Sequence, residues 1–166
     1  MDAGENTAVA SETDEQLHEP ILEGIRALVG VAGRSMAAIT NDVSLPQYRI
    51  LVVIGRHGPQ TMSVLAERLG LDPSTLTRSC DRLVEKKLIR RTTDENDRRI
   101  VVVDLTARSR RLIDQVTRRR IAEIDRILGR MTPAARRRLA VALGELAAAA
   151  EGFADAAWTL GWSDAP

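Results

Sequence analysis

The chain has 166 residues, 44% of them hydrophobic but only 2% aromatic, so one domain's core must come from Leu, Ile, Val and Ala. Its 24 Lys and Arg against 23 Asp and Glu leave a formal charge of +1, which excludes no class of partner until the charges are located. No apolar run is long enough to span a membrane, no leader-like segment is seen, and one Cys excludes an internal disulfide, so a cytoplasmic protein is expected.

Residues 1–14 are small, polar and acidic, and an unstructured segment is expected there. From about Glu15 the pattern turns helical. Leu17, Ile21, Ile25, Leu28, Ala32 and Ile39 recur every three or four residues, and Leu22, Val29 and Met36 widen the stripe. Pro20 sets the secure start of this helix near Glu19, because proline is comfortable only in a first turn. Residues 15–44 thus form one long amphipathic helix ending in a break from Asn41 to Ser44. Pro46 opens a second helix through about Arg56, burying Tyr48, Leu51, Val52 and Ile54, and His57-Gly58-Pro59 ends it. Thr61-Met62 offers a brief strand.

The stretch from Ser63 to Lys87 reads as two short helices joined by a tight turn. Leu65, Ala66 and Leu69 sit at helical spacing, and Gly70 is a candidate left-handed cap. Asp72 offers its carboxylate to free N–H groups, and Pro73 fits the first helical position. That punctuation belongs to a helix-turn-helix. Laid out at about 100° per residue, the second helix gathers Leu76, Cys80, Leu83 and Val84 on a core-facing side. Ser74, Thr75, Arg78, Asp81, Arg82 and Glu85 gather opposite, with Thr77 at the edge. Small hydroxyls followed by Arg suit a helix entering a major groove, where an Arg can bond two acceptors on guanine. The same face would equally serve an ordinary solvated helix.

Two strand-like runs follow, Leu88 to Thr93 and Ile100 to Leu105, separated by the polar tip Asp94-Glu95-Asn96-Asp97-Arg98-Arg99. A hairpin directly after such a helix, with Arg at its tip, is a wing whose Arg can reach a narrow minor groove.

From about Leu45 to Leu112 the chain resembles the MarR family of bacterial winged-helix transcription regulators. The resemblance is carried by Leu45–Leu51 (LPQYRIL), Gly58-Pro59, Leu65–Arg78 (LAERLGLDPSTLTR), Asp81–Lys86 (DRLVEK), Leu88–Arg91 (LIRR), Asp94–Arg99 (DENDRR) and Leu105-Thr106. It implies a homodimer gripping double-stranded DNA at a pseudo-palindromic site, with the helix from Pro73 in the major groove. It also implies Asp97 as wing support and Arg98 and Arg99 as wing contacts. Many family members release DNA on binding a small molecule, and the few aromatics here leave any such ligand open. Two departures stand out. Lys87 occupies the usual Gly position before the first wing strand, and Ser109 replaces a common Gly after Leu105-Thr106. Lys87 must take a strained left-handed conformation or let the helix end differently.

Thr106 caps a long helix running to about Arg130, with Leu112, Ile113, Val116, Ile121, Ile124, Ile127 and Leu128 as its apolar positions. Arg118-Arg119-Arg120 on it reads as a solvated surface or as a DNA contact. Thr132-Pro133 starts another helix, whose Leu139, Leu143, Leu146, Ala147, Ala150 and Phe153 form a narrow stripe. Trp158 and Trp162 share a face if residues 154–166 are helical, either packing on those helices or walling a ligand cavity.

The expected fold is therefore mainly α with a small β-hairpin wing. An N-terminal dimerisation helix (15–44), a winged helix-turn-helix (45–105), C-terminal dimerisation helices (106–153) and a Trp-containing tail follow the acidic segment. Apolar stripes at both ends of the chain point to burial against a second copy. Charge supports the reading: residues 81–130 carry 15 basic groups against 9 acidic, whereas residues 1–40 carry 2 against 7.

His18 and His57 lie in different helices with no Cys nearby, no phosphate-binding or nucleophile-elbow motif occurs, and neither enzyme nor cofactor is expected. Cys80 falls on the buried side of its helix, which favours a structural role over a redox switch. The reading is a sequence-specific DNA-binding repressor whose contacts are Ser74, Thr75, Thr77, Arg78, Arg82, Arg98 and Arg99. The alternative is a winged-helix adaptor for protein partners.

Overall fold

The computed structural model describes residues 5–37, 39, 42–93 and 100–150, with side chains from Gln16 onward. The elements run α1 (Glu5–Met36), α2 (Leu45–His57), β1 (Gln60–Thr61), α3 (Met62–Leu69), α4 (Pro73–Glu85), β2 (Ile89–Thr93), β3 (Val101–Leu105), α5 (Ala107–Leu128) and α6 (Pro133–Ala149). The fold is mainly helical, with a three-stranded antiparallel sheet ordered β1-β3-β2.

The centre of the winged unit is α2. Its start is set by a reciprocal pair of bonds: Ser44 Oγ accepts the Gln47 N–H, and Gln47 Oε1 accepts the Ser44 N–H. Gln47, Tyr48 and every residue from Ile50 to Ile54 are buried, so the helix is enclosed on most sides. Leu65, Leu69, Leu76, Leu83, Leu88, Val103 and Val116, each at most 2% exposed, close the aliphatic core around it. Gly55 lets that core close: a Cβ there would come within 3.4 Å of Leu105 and 3.5 Å of Ile113.

The expected third strand is Gln60–Thr61, paired with Val103 and Val102, while Met62 already belongs to α3. Thr61 does double duty, since its Oγ1 also caps α3 by accepting the Val64 N–H. The hairpin pairs Ile89 with Leu105 and Thr93 with Val101. The wing-tip residues 94–99, among them Asp97, Arg98 and Arg99, lie outside the described residues, as do Phe153, Trp158 and Trp162.

Three expectations need correction. The first helix does not start near Glu19 but at Glu5, with Pro20 inside it, so most of the segment expected to be unstructured is helical. Proline denies Gln16 its bond, yet Gln16 and Pro20 are both exposed and water can take the carbonyl. Ile39 is buried but lies beyond α1, in the link to α2, where Val43 joins it in the core. Val84 is 37% exposed rather than core-facing, because the core side of α4 is filled by Leu76, Cys80 and Leu83 alone.

The outer helices contrast with this closed unit. On α1, Leu17, Ile21, Leu22, Ile25, Leu28 and Val29 are exposed, and among its described side chains burial starts at Val31, in the last turns, which pack with α5. On α6 no described residue is buried, and Leu139, Val141, Leu143 and Leu146 all face outward. No helix among the described residues is long and apolar enough to cross a membrane.

Candidate nucleic-acid interface

Helix α4 begins where the sequence demands. Asp72 Oδ1 accepts the Ser74 N–H at 2.7 Å, and Pro73 occupies the first turn, where its missing donor costs nothing. Hydrogen bonds from the Ser74 backbone and hydroxyl hold the Asp72 carboxyl below its ordinary pKa. Folding therefore gains from this cap above the ordinary carboxylate range and loses it as pH falls through the depressed value.

Ser74, Thr75, Thr77, Arg78 and Arg82 are all exposed on one side of α4. Thr77 Oγ1 bonds back to the Pro73 carbonyl at 2.8 Å, which fixes its rotamer. Arg78 is folded toward the helix start, with Nε 3.3 Å from the Ser74 carbonyl and Nη2 3.3 Å from Ser74 Oγ. Those contacts are long and solvated, so the guanidinium can swing outward at little cost.

The orientation of α4 comes from contacts that sequence spacing did not reveal. Asp81, half-buried beside the outward face, is bonded by Arg91 of β2 at 2.6 Å, tying helix to wing. Lys86 Nζ donates to the Asp42 carbonyl at 2.7 Å and to Gln47 Oε1 at 3.3 Å, anchoring the far end of α4 to the start of α2. Thr106 Oγ1 and Arg108 Nη1 donate to the carbonyls of Lys87 and Lys86, so the start of α5 receives that same end. Asp104 in β3 takes bonds from Arg90 of β2 and Arg110 of α5, at 2.6 Å and 3.3 Å. These partners are 6 to 44 residues apart in the chain, beyond the reach of a local pattern.

Lys87 resolves the question its sequence position raised. Its φ is +57°, the left-handed conformation, with the Lys87 N–H bonded to the Val84 carbonyl and the Leu88 N–H to the Leu83 carbonyl. That is a Schellman ending, and the accompanying apolar contact is supplied by Leu83 and Leu88, both buried. Gly70 closes α3 with the same pair of bonds at φ +60°. The helix ends where a Gly would end it, at the cost of a left-handed Lys. Ser109 is equally well accommodated: it is buried, and its Oγ donates to the Thr106 carbonyl at 2.9 Å.

Cys80 is buried under α4, and desolvation pushes its thiol up to about 11, against a weaker pull from Arg91. No group of His, Cys, Asp and Glu among the described residues could hold a metal ion. Of Arg118, Arg119 and Arg120, the first two are exposed, but Arg120 is buried.

A mainly helical chain with a three-stranded wing, and a capped polar helix standing on its surface, defines a winged helix-turn-helix protein. The MarR family's sequence model matches residues 41–100. The transcriptional repressor MdtR of Bacillus subtilis is 34% identical over 109 residues, spanning 66% of this chain and 70% of that protein. The regulator YfiV of the same organism is 32% identical over 92 residues, 55% of this chain but only 58% of that relative's length. The crystal structure of RV1404 from Mycobacterium tuberculosis superposes with a TM-score of 0.77 at 37% identity, covering 81% of this chain and 92% of that one. The chain belongs to the MarR family of winged helix-turn-helix transcription regulators. It is accordingly a regulator rather than an enzyme.

Proposed function

We propose that the chain is a sequence-specific, double-stranded DNA-binding repressor of the cytoplasm, acting as a homodimer on a pseudo-palindromic operator. The observation that carries this is the outward face of α4, where Ser74, Thr75, Thr77, Arg78 and Arg82 stand exposed on a helix whose other side is locked into the core. In the major groove, Arg78 and Arg82 read base edges while the hydroxyls set register on phosphates. Arg98 and Arg99 reach the minor groove from the wing, with Asp97 supporting them. MdtR, the relative described as a repressor, supports the sign of regulation.

The second copy is called for by the outer helices. The exposed apolar side chains of α1 and α6 bury when two chains pair, and two-fold symmetry then brings two α4 helices to adjacent major grooves, ~34 Å apart. A small molecule that favours one spacing over the other shifts DNA affinity by its differential binding energy. Selection of bound duplexes from a random pool tests the whole reading. Enrichment of an inverted repeat with half-sites about ten base pairs apart is the expected result. Binding that is indifferent to sequence and insensitive to salt would overturn it in favour of a protein-interaction adaptor.

A further inference from the structure

Strand β2 is an edge of the sheet and the first leg of the wing, and its two arginines are held on opposite sides of it. Consecutive strand residues point to opposite faces. Arg90 meets its cross-strand partner Asp104, which also takes a bond from Arg110 of α5. Arg91 turns the other way, to the face of its buried cross-strand partner Val103, and reaches Asp81 of α4 at 2.6 Å. The pair lies beside the buried Cys80, whose thiol feels Arg91 and Asp81 with opposite signs. The wing is thus held from two helices, by α5 through Asp104 and by α4 through Asp81. Its tip begins three positions after Arg91, about 10 Å along an extended strand.

Asp81 is costly where it stands. It lies between Arg78 and Arg82 in the sequence of a helix that meets a polyanion, and a free carboxylate there repels phosphates. Its bond to Arg91 cancels that charge. The two side chains are 47% and 32% exposed, so the pair adds little to overall stability and its worth lies elsewhere. The left-handed turn at Lys87 sets where β2 leaves the helix; the ion pair, four residues on, sets how the strand inclines. We propose that Asp81 is a positioning residue that determines specificity. It makes no attractive contact with DNA, and through Arg91 it fixes the reach of the wing from α4. The major-groove core and the minor-groove flank of a half-site are then read in one register. The same bond keeps Arg91 off the phosphates and so limits sequence-independent binding. This inference rests on the reading of α4 and the wing as the DNA-binding face.

Two measurements on the full-length protein test it, one without DNA. Amide hydrogen exchange of Asp81→Asn should quicken in β2 and β3 by about two- to fivefold, the worth of an exposed pair, with α2 unchanged. Its Tm should stay within about 3 °C of the wild type. Fluorescence anisotropy then compares duplexes carrying the selected inverted repeat with A·T or G·C flanks, and a scrambled duplex, over a range of KCl. Asp81→Asn should lose about two- to fivefold of the A·T flank preference per half-site. On the scrambled duplex it should bind more tightly, with a salt slope steeper by about 0.9, because Arg91 is released to a phosphate. The exchanged pair, Asp81→Arg with Arg91→Asp, should restore the flank preference and slow the wing amides again. Wing exchange unaltered in Asp81→Asn, a flank preference it retains in full, or an exchanged pair that folds without restoring either would overturn the assignment. A wild type indifferent to its flanks would instead reject the minor-groove role of the wing, and hydrogen exchange would still decide whether Asp81 holds it.

Discussion

The winged unit and the outer helices are made of the same aliphatic residues and put them to opposite uses. Around α2, the large side chains from Ile50 to Val116 are sealed within one chain. Along α1 and α6, residues of the same types lie open: Ile25 is 45% exposed and Leu146 56%. A chain seldom leaves two apolar stripes uncovered at opposite ends of its sequence without something to cover them. The difference teaches that the unit presenting α4 is self-sufficient, whereas the outer helices leave apolar faces for the proposed second copy to cover.

The two regions should therefore fail in different ways. Leu76→Ala, in the sealed core, is expected to lower unfolding stability by about 2–5 kcal/mol, the usual cost of truncating a buried leucine. Urea titration followed by circular dichroism measures it. Leu146→Asp, on an open stripe, should leave the secondary structure of a single chain intact and act on association. At about 1.5 kcal/mol of burial per side chain, counted twice in a symmetric pair, the loss is about 3 kcal/mol or more. Sedimentation equilibrium should show a dimer for the wild type and a concentration-dependent monomer for the variant.

A finer test stays within the winged unit. Arg78→Ala should weaken operator binding by about 1–3 kcal/mol and relax the preference at one base position. Fluorescence anisotropy on operator and scrambled duplexes reads both effects, and an equal loss on the two would make Arg78 a phosphate clamp instead. Smaller still is the contrast between the endings of α3 and α4. Gly70→Ala should destabilise by about 1 kcal/mol, and Lys87→Gly should stabilise by up to about 1 kcal/mol, since both positions are left-handed. The smallest expected effect is none: with a thiol pKa near 11, Cys80 is less than about one-thousandth thiolate at pH 7.5, and peroxide should not change DNA affinity.

Much of the winged unit was legible in the sequence because its signals are local. Gly70, Asp72 and Pro73 mark a turn through backbone rules that act within four residues, and the burial of Leu65, Leu76 and Leu83 follows from helical spacing. What spacing did not disclose depends on distant partners. Val84 sits at a core-like phase of α4, but the neighbouring elements do not reach it. Arg120 reads as one of three surface arginines until the approach of α1 and α2 buries it. The anchoring of Lys86 by Asp42 and Gln47, and the Asp104 cluster that joins both wing strands to α5, need the tertiary fold before they exist. Pro20 misled for a different reason: an exposed helix can carry an internal proline when water satisfies the freed carbonyl.

The claim on which the rest turns is that two copies hold their α4 helices one turn of DNA apart. Electron–electron dipolar spectroscopy on operator-bound protein, carrying a nitroxide at Glu85→Cys in a Cys80→Ser background, measures that separation directly. A distance distribution centred on the order of 34 Å is predicted. A sample bound to its operator that gives no dipolar coupling, or one centred far from that distance, would contradict it.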